Sequence, residues 1–385
     1  MKNACKLLVL FTVMGSAQIK MADNAILEKE KARVLERATA YLDALPVTVT
    51  AWVSERSAGG KNDFYSEGDY WWPDPDNPEG PYIRRDGMTN PDNFTAHRHA
   101  MVRLSQIAGA LGSAYKVSKD VAFAQKLVPH LRAWFIDGET MMNPSLKYAQ
   151  AIKGRVTGRG IGIIDTIHLL EVVKAIMAIE DAKVLSAAEI VALKKWFSDY
   201  LKWINTHPYG IAERSTKNNH AACWTLQAAV FAEFTENEVM LNYAAQKFKE
   251  ELLPLQMARN GSFPRELDRT KPYGYSLFNL DVMAGIAQVL SNERQQLFKY
   301  SVKGRSLEKG MEFLYPYIKH KDSWPYGKDV LYWEEWPVRH PSLLFVGLAL
   351  GNRDYLELWG GLEADFDNPE VVRNMPIRHP LLWLN

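Results

Sequence analysis

Helical periodicity runs through most of the chain after residue 95, and it limits the possible folds more than any other sequence feature. Successive segments place apolar residues three and four positions apart, from HRHAMVRLSQIAGALGSAYK at 97–116 to SLLFVGLALG at 342–351. Convincing segments of alternating apolar and polar residues, the pattern of half-buried strands, are absent from the sequence. The chain is therefore predicted to be all-α.

The helical segments recur in pairs, which predicts a particular all-α architecture. Amphipathic segments with an aromatic and basic stripe centre on Trp134, Trp196, Phe248 and Phe313, at spacings of 62, 52 and 65 residues. One further apolar helix fits into each interval, so the repeating unit is a helical hairpin. We expect an incomplete (α/α) toroid rather than an open superhelical solenoid, because the units differ in length and long polar loops join them. Those irregular loops would form a groove at one end.

The first residues have the pattern of a signal peptide. Lys2 and Lys6 flank a positive start, and the apolar run LLVLFTVM leads into the small-residue stretch GSAQ. We predict a signal peptide over residues 1–17, export to the periplasm or the extracellular space, and no membrane anchor, because the run is too short to span a bilayer. Residues 18–385 would then form a single toroid domain. Only Cys223 would remain in it, so packing rather than a disulfide must stabilise the fold.

The charge balance excludes one class of partner. The formal net charge is +1, and loss of Lys2 and Lys6 would leave one more acidic than basic residue. A chain of this charge is not expected to bind nucleic acid. A local basic cluster would have to hold any anionic ligand. We expect a monomer or a weak oligomer.

The stretch KNNHAACW at 217–224 places polar side chains at the start of an otherwise apolar helix. A serine or threonine just before it is a candidate N-cap, so Asn218, Asn219 and His220 would lie on the first turn. Free backbone N–H groups and the positive end of the helix dipole favour a bound carboxylate there. Trp224 would share a face with His220. The alternative is that the amides cap the helix and the histidine belongs to the core.

A second candidate stretch is NGSFPRELDRTKPYGYSLFNL at 260–280. It combines Arg265 and Arg269 with Tyr273 and Tyr275, immediately before an apolar helix. An arginine near a tyrosine favours the phenolate, and a phenolate can act as a base. The alternative is a solvated charged loop with tyrosines packed at a helix start.

The irregular segment 63–87 is a third candidate. Tyr70, Trp71 and Trp72 give it the composition of a loop that stacks on sugars and contacts anions. Long ordered loops in compact domains are usually functional. The alternative is a packing cover over one end of the toroid.

Other residues carry weaker signals. His97 and His99 suggest a metal site, but no Cys, Asp or Glu has ligand spacing to them, so no metal is predicted and the pair is assigned to ligand binding. Arg159 follows glycines but lacks a Walker lysine, so it is expected to line the groove rather than a phosphate loop. Trp333 is equally readable as core or as a wall of the groove.

Together these residue types suit β-elimination from a uronic acid. Removal of the C5 proton builds negative charge on the adjacent carboxylate, and an amide, an imidazole and a guanidinium would stabilise it. A phenol within hydrogen-bonding distance can take the C5 proton and protonate the departing O4. Neither a metal nor an organic cofactor is required.

The motifs also resemble a known family. NNH with its following tryptophan, GSFPRELDRTKPYGYSLFNL and the upstream YWWPDP resemble the alginate lyase superfamily of α/α toroid polysaccharide lyases. The resemblance is greater to the glucuronan and alginate lyases of polysaccharide lyase family thirty-eight than to the family-five enzymes. It covers most of the chain after the predicted signal peptide. It implies a secreted lyase that cleaves 1,4-linked uronic acid polymers, either alginate or glucuronan, and leaves 4,5-unsaturated ends.

The resemblance also implies roles for individual residues. Asn219 resembles the carboxylate-neutralising asparagine, His220 the catalytic histidine, Arg269 the neutralising arginine, and Tyr275 the tyrosine that acts as base and acid. One departure is that a serine follows the tyrosine, where family five has a Tyr-His pair. Arg265 therefore stays a rival for the arginine role, and Tyr273 a less favoured rival for the tyrosine role.

Stereochemistry and two rival functions complete the expectations. The C5 proton and O4 lie syn in mannuronate and glucuronate, so one tyrosine can serve both steps, whereas guluronate needs an opposite-face base such as His220. An inverting glycoside hydrolase would need two carboxylates. Glu67, Asp69, Asp165 and Glu335 are available but form no recognisable pair. A non-catalytic polysaccharide-binding protein would bind the polymer without shortening it.

Overall fold

The computed structural model describes residue 26 and residues 28–384. The predicted signal peptide, residues 1–17, lies outside the described residues. None of the helices within that part of the chain has the length and apolar character needed to cross a membrane.

The described residues form mainly helices, as the periodicity predicts. Helical residues 28–39 are α1. The following helices are α2 (Ala96–Ser118), α3 (Val121–Phe135), α4 (Leu169–Ala178), α5 (Ala187–Thr206), α6 (Pro208–Arg214), α7 (Asn219–Phe234), α8 (Glu238–Lys247), α9 (Leu253–Gln256), α10 (Pro264–Leu267), α11 (Pro272–Leu290), α12 (Leu307–Lys319), α13 (Pro341–Leu350), α14 (Arg353–Gly361) and α15 (Pro369–Arg373).

Inner and outer helices form the hairpins of an (α/α) toroid, which confirms the predicted fold class. The inner helices α2, α4, α7, α11 and α13 pack side by side in that order, and α3, α8, α12 and α14 pack outside their inner partners. The inner helices α7 and α11 bury nearly every residue. Outer helices such as α12 bury one stripe only, because their other face meets solvent.

Short strands anchor the irregular segment that the sequence pattern left without structure. Strand β1 (Tyr65–Glu67) pairs in parallel with β4 (Tyr148–Ala151), and β2 (Trp71–Trp72) pairs antiparallel with β3 (Ile83–Arg84). At two to four residues, these strands are too short to show an alternating pattern in sequence. The first pair fixes the segment to the body of the toroid, and the second carries Trp71 and Trp72.

A buried carboxylate fastens the end of the chain to the inner ring. Glu171 on α4 is fully buried and accepts backbone N–H bonds from Arg378 at 2.6 Å and His379 at 2.5 Å. Its other oxygen lies 3.0 Å from Nδ1 of His379. Burial alone would raise the pKa of Glu171, but His379 and Arg378 lower it below its usual value. The C-terminal segment thus closes over α2 and α4.

Candidate active site

The start of α7 presents Asn219 and His220, with a protein carboxylate at the helix N-terminus. The N-cap is Asn218, not the serine or threonine suggested by the sequence, and its side chain makes no capping bond. Glu266 instead accepts from the backbone N–H of Asn219 at 2.8 Å and from its Nδ2 at 2.7 Å. The free N–H at this helix start is therefore satisfied by Glu266, which holds the Asn219 amide in one orientation.

A second carboxylate holds His220. Nδ1 of His220 lies 2.6 Å from Oε1 of Glu213, a residue of α6 that is almost fully buried. Burial alone would lower the pKa of His220, but Glu213, and then Glu266, raise it above its usual value. The imidazole therefore keeps its positive charge to a higher pH than an ordinary histidine. Its side chain is 16% exposed, so a ligand can reach it.

A third carboxylate holds Arg269. Its Nε and one terminal nitrogen donate to the two oxygens of Asp86 at 3.1 and 3.0 Å. Burial alone would raise the pKa of Asp86, but the bonds and charge of Arg269, and then those of Arg84, lower it to about 2. This two-point contact fixes the plane of the guanidinium, which lies 4.6 Å from the ring centre of Tyr275.

Tyr275 pairs with Tyr70 of the irregular segment. The two phenol oxygens are 2.6 Å apart, and Tyr275 is 9% exposed. Burial raises the pKa of Tyr275 well above its usual value, and Tyr70 raises it further, while Arg269 acts in the opposite direction. Arg269 thus favours the phenolate, as expected from the sequence, but burial outweighs it, so the resting phenol is protonated.

Tyr70 is positioned by buried ion pairs. The preceding Asp69 is bound by Arg98 at 2.6 Å and by Arg373 at 3.2 Å. Burial alone would raise the pKa of Asp69, but Arg373 and Arg98 lower it below its usual value. Nζ of Lys271 lies 5.6 Å from the Tyr70 ring. These contacts tie the segment to α2 and α15 and hold Tyr70 against Tyr275.

The structure brings the four predicted catalytic residues together through one short helix. Asn219 and His220 are adjacent on α7, and Asn219 bonds Glu266 on α10. The backbone N–H of Arg269 donates to the Glu266 carbonyl at 3.1 Å, which places Arg269 one turn beyond that glutamate and over Tyr275. The charge of Arg269 also lowers the pKa of His220, against the larger effect of Glu213, as expected for neighbouring groups.

The two rival residues lie elsewhere. Arg265 is exposed on α10, next to the buried Glu266. Tyr273 is completely buried, and its hydroxyl donates to the Tyr317 carbonyl at 3.0 Å. Trp333, predicted as core or groove wall, packs 5.3 Å from the Tyr273 ring and is 8% exposed. These positions favour Arg269 and Tyr275 for the two roles.

Two predicted ligand-binding residues lie in the core. Trp224 has no exposed surface, and its indole N–H donates to the Ile204 carbonyl at 2.9 Å. His97 is 4% exposed, accepts from the Tyr65 backbone N–H at 2.9 Å, and lies 3.0 Å from the Trp52 carbonyl. Both side chains are occupied by these structural bonds, so we leave them out of the proposed site.

The remaining predicted residues lie on other elements: Trp71 and Trp72 on β2, His99 on α2, and Arg159 in the connection between β4 and α4. The guanidinium of Arg159 lies 5.9 Å from the ring centre of Trp71, and it donates a hydrogen bond to the Gln150 side chain at 2.9 Å. Trp72 donates to the Met88 carbonyl at 2.8 Å. His99 is exposed at a separate cavity of about 310 Å³ that Asp69, Arg98 and Arg373 also line. Among the described residues no group of three or more His, Cys, Asp or Glu could hold a metal ion.

Sequence reasoning missed the three carboxylates that orient the site. Glu266 stands inside the RELDRT motif and Glu213 seven residues before His220, so proximity in sequence was a usable signal for both. Asp86 is far from Arg269 along the chain and had no such signal. Three of the four carboxylates considered for a hydrolase are bound in ion pairs: Asp69 and Asp165 with Arg98, and Glu67 with Arg56 at 2.8 Å. The fourth, Glu335, is exposed.

Comparisons with known proteins agree on one family. The sequence model of the alginate lyase family matches residues 48–324. The crystal structure of an alginate lyase from Bacteroides ovatus is 31% identical, covers 97% of each chain and has a TM-score of 0.80. Alginate lyase A1-III from a Sphingomonas species is 13% identical, over 91% of this chain and 94% of that one, with a TM-score of 0.58. A histidine-to-alanine variant of A1-III in complex with a tetrasaccharide has a TM-score of 0.61 at 14% identity, with the same coverage. The two A1-III structures, at 13% and 14% identity, show similarity of fold alone.

No curated protein gave a significant match.

Proposed function

Because the chain belongs to the alginate lyase family and is a polysaccharide lyase, we propose that it cleaves 1,4-linked uronic acid polymers by metal-independent β-elimination. The proposed substrates are mannuronate-rich alginate or glucuronan, and the products carry 4,5-unsaturated uronate ends. The observation that carries the proposal is the Arg269 guanidinium 4.6 Å from the ring centre of a tyrosine, beside the Asn219–His220 pair.

The three charge-stabilising groups keep donors free after binding their carboxylate partners. Arg269 uses Nε and one terminal nitrogen on Asp86 and retains its other terminal nitrogen. Asn219 uses one Nδ2 hydrogen on Glu266, and His220 uses only Nδ1. We assign the remaining donors to the substrate carboxylate, whose negative charge grows as the C5 proton leaves.

Tyr275 is assigned the proton transfers. The resting phenol first releases its proton to solvent. The phenolate then takes the C5 proton, the C5–H electron pair forms the C4–C5 double bond, and the C4–O4 bond breaks. The proton that Tyr275 has gained then passes to O4, which restores the phenolate. The charge of Arg269 would stabilise that phenolate, and Tyr70, whose phenol oxygen is 2.6 Å away, holds the Tyr275 hydroxyl in position. Its raised pKa makes the phenolate a strong base once formed.

The charge state of His220 supports the preference for syn substrates. Although burial opposes it, Glu213 raises the pKa of His220, which favours the imidazolium. A protonated imidazole stabilises negative charge but cannot abstract a proton. Cleavage of guluronate, which needs a base on the opposite face, should therefore be slower than cleavage of mannuronate or glucuronate.

The remaining parts of the proposal concern location and assembly. The alginate lyase from Bacteroides ovatus shares the fold at 31% identity, and the polymers in question are extracellular. We therefore propose export to the periplasm or the extracellular space, directed by residues 1–17, and action as a monomer or weak oligomer. Placement in family thirty-eight stays a prediction.

The experiment is to supply polymannuronate, polyguluronate and glucuronan separately, with a chelator present, and follow ultraviolet-absorbing unsaturated products. We expect turnover of a syn substrate that the chelator changes little. Tyr275→Phe should lower kcat by at least about a thousandfold while polymer binding survives, because only the proton-transferring hydroxyl is lost.

Tyr273→Phe is the matched control. It removes the hydroxyl of the buried rival tyrosine and should keep most turnover, at a stability cost of about 1 kcal/mol for the lost bond to Tyr317. Full activity in Tyr275→Phe together with inactivity in Tyr273→Phe would transfer the role to Tyr273. Chain shortening without unsaturated products would indicate a hydrolase instead.

A further inference from the structure

A second cavity lies beside the proposed active site. It has a volume of about 680 Å³ and is open between β1 and the turn at residues 152–156, with α6 contributing Tyr209. Ligand-binding pockets are typically about 300–1,000 Å³, so the cavity is large enough for sugar units. The predicted role of Tyr275 and its neighbours does not use it.

The charges lining this cavity favour an anionic ligand. Arg56, Lys153 and Arg155 line it, against the single carboxylate of Glu67. Glu67 is already neutralised, since it binds Arg56 at 2.8 Å and accepts the Phe94 backbone N–H at 2.7 Å. Two cations, Lys153 and Arg155, therefore remain to meet a ligand.

Both of these cations are available for a carboxylate. Nζ of Lys153 lies 3.7 Å from Glu79, whose side chain is 95% exposed, so water screens that pair. Arg155 uses Nε on the Tyr82 carbonyl at 2.7 Å, and within the described chain no carboxylate lies within 4.0 Å of its guanidinium. The Tyr82 bond holds the Arg155 side chain in place while its terminal nitrogens stay free.

Apolar surface between the cations suits the faces of a sugar ring. Ile152, Val156 and Tyr209 line the cavity, and Val156 is 42% exposed. Carbohydrate sites commonly combine such apolar surface with a few placed polar groups. A small inorganic anion would not need this apolar surface, so the lining of the cavity favours a charged sugar.

Two connections join the cavity to the proposed active site. The guanidinium of Arg155 lies 5.1 Å from the ring centre of Trp71, and the adjacent Tyr70 bonds Tyr275 at 2.6 Å. In addition, Tyr209 shares α6 with Glu213, which holds His220. Trp71 therefore connects Arg155 at the cavity with Tyr70, the partner of Tyr275.

We propose that this cavity is a distal subsite that binds the carboxylate of a uronate unit remote from the bond being cleaved, through Lys153 and Arg155. The inference rests on the proposed lyase function and extends it, because it requires faster cleavage of chains long enough to reach the cavity. Its ligand is a further uronate unit of the same polymer.

The test compares Lys153→Glu with Lys202→Glu, a matched reversal of an exposed lysine on the outer helix α5. Each variant is assayed on long polymer and on the shortest oligosaccharide that the wild type cleaves. Lys153→Glu should lower kcat/KM on polymer at least about fivefold, mainly through KM, and change it less than twofold on the short substrate. Lys202→Glu should leave both within twofold. Raising the salt concentration should shrink the polymer effect.

Arg155→Gln is the second variant and should show the same selective loss. Equal changes on long and short substrates, or no change on polymer in either variant, would overturn the distal subsite while leaving lyase activity established. A wild type that forms no unsaturated product from any uronate polymer would instead refute the proposed lyase chemistry. In that case, polymer affinity measured in Lys153→Glu and the wild type still tests the cavity as a binding site.

Discussion

At the scale of single residues, every proposed charge-stabilising group is held by its own carboxylate. Asp86 binds Arg269, Glu213 binds His220 and Glu266 binds Asn219. Each pairing fixes the orientation of a side chain before the substrate binds. The side chain therefore does not have to reorient when negative charge develops on the substrate. The pairing with Glu213 also raises the pKa of His220, and this gives a pH-dependent prediction.

Glu213→Gln should shift the pH dependence of turnover. Without the carboxylate, burial is expected to lower the pKa of His220. The imidazolium contributes below the pKa of His220 and is lost as the pH rises through it, so the variant should lose that contribution at a lower pH. We expect kcat/KM roughly tenfold lower at mildly alkaline pH and a smaller loss at acidic pH. Steady-state kinetics across the pH range measure this.

The control for that series is Glu357→Gln, an exposed glutamate on α14. It should leave the profile unchanged. If Glu213→Gln instead lowers kcat/KM by the same factor at every pH, the Glu213 carboxylate only stabilises the fold, and His220 does not act through its charge.

At the scale of elements, the site is assembled from helix starts and from one anchored loop. Asn219 opens α7, Tyr275 lies in the first turn of α11, and α10 carries Glu266 between them. The loop with Tyr70 is held by ion pairs to α2 and α15. Connections between packed helices gather at one end of a toroid, so residues distant in sequence meet there.

The C-terminal segment gives an element-scale prediction. Glu171→Ala removes the acceptor of two backbone N–H groups and the partner of His379. We expect a loss of about 3–5 kcal/mol in the free energy of unfolding, because buried backbone donors and the buried guanidinium of Arg378, 3.5 Å from Glu171, are left unpaired. Urea unfolding followed by fluorescence measures it.

Glu357→Ala serves as the matched control, because that side chain is exposed in the middle of an outer helix. Its effect should stay within about 0.5 kcal/mol. Equal stabilities of the two variants would show that the C-terminal segment does not depend on Glu171.

At the scale of the whole molecule, the ring of inner helices excludes solvent from the centre of the protein. Cys223 on α7 has no exposed surface, and burial raises the pKa of its thiol well above the usual value. The thiolate is the reactive form, so reaction requires opening of the ring.

A thiol reagent should therefore label Cys223 only through unfolding. For protein expressed from residue 18, we expect no labelling over the time in which the urea-unfolded chain reacts completely, and rates that follow the free energy of unfolding. Mass spectrometry after a timed exposure measures this. Rapid labelling of folded, active enzyme would show that α7 is accessible without global opening.

Several features of this protein follow from local sequence. Apolar spacing identified the inner and outer helices, because periodicity reflects which face of a segment is buried. The all-α toroid was predicted on that basis and is confirmed by the structure and its relatives. The NNH, RELDRT and YGYS motifs indicated the family, because the residue types that the chemistry needs lie close together within each motif.

Other features depend on which distant segments pack together. Two arginines and two tyrosines stand within eleven residues, and only packing placed Tyr273 in the core and Tyr275 against Tyr70, 205 positions away. Local pattern likewise suggested roles for Trp224 and His97, whose polar atoms the fold uses internally.

The sequence by itself therefore determined the fold class, the family and the chemical types available at the site. The tertiary structure alone decided which of the rival side chains meet, which carboxylates orient them, and that Lys153 and Arg155 share a cavity. The physical reason is that helix formation and the apolar spacing of a helix face depend on residues close together in the sequence. Which side chains meet, which charges pair and how each pKa shifts depend on contacts between segments far apart in the chain.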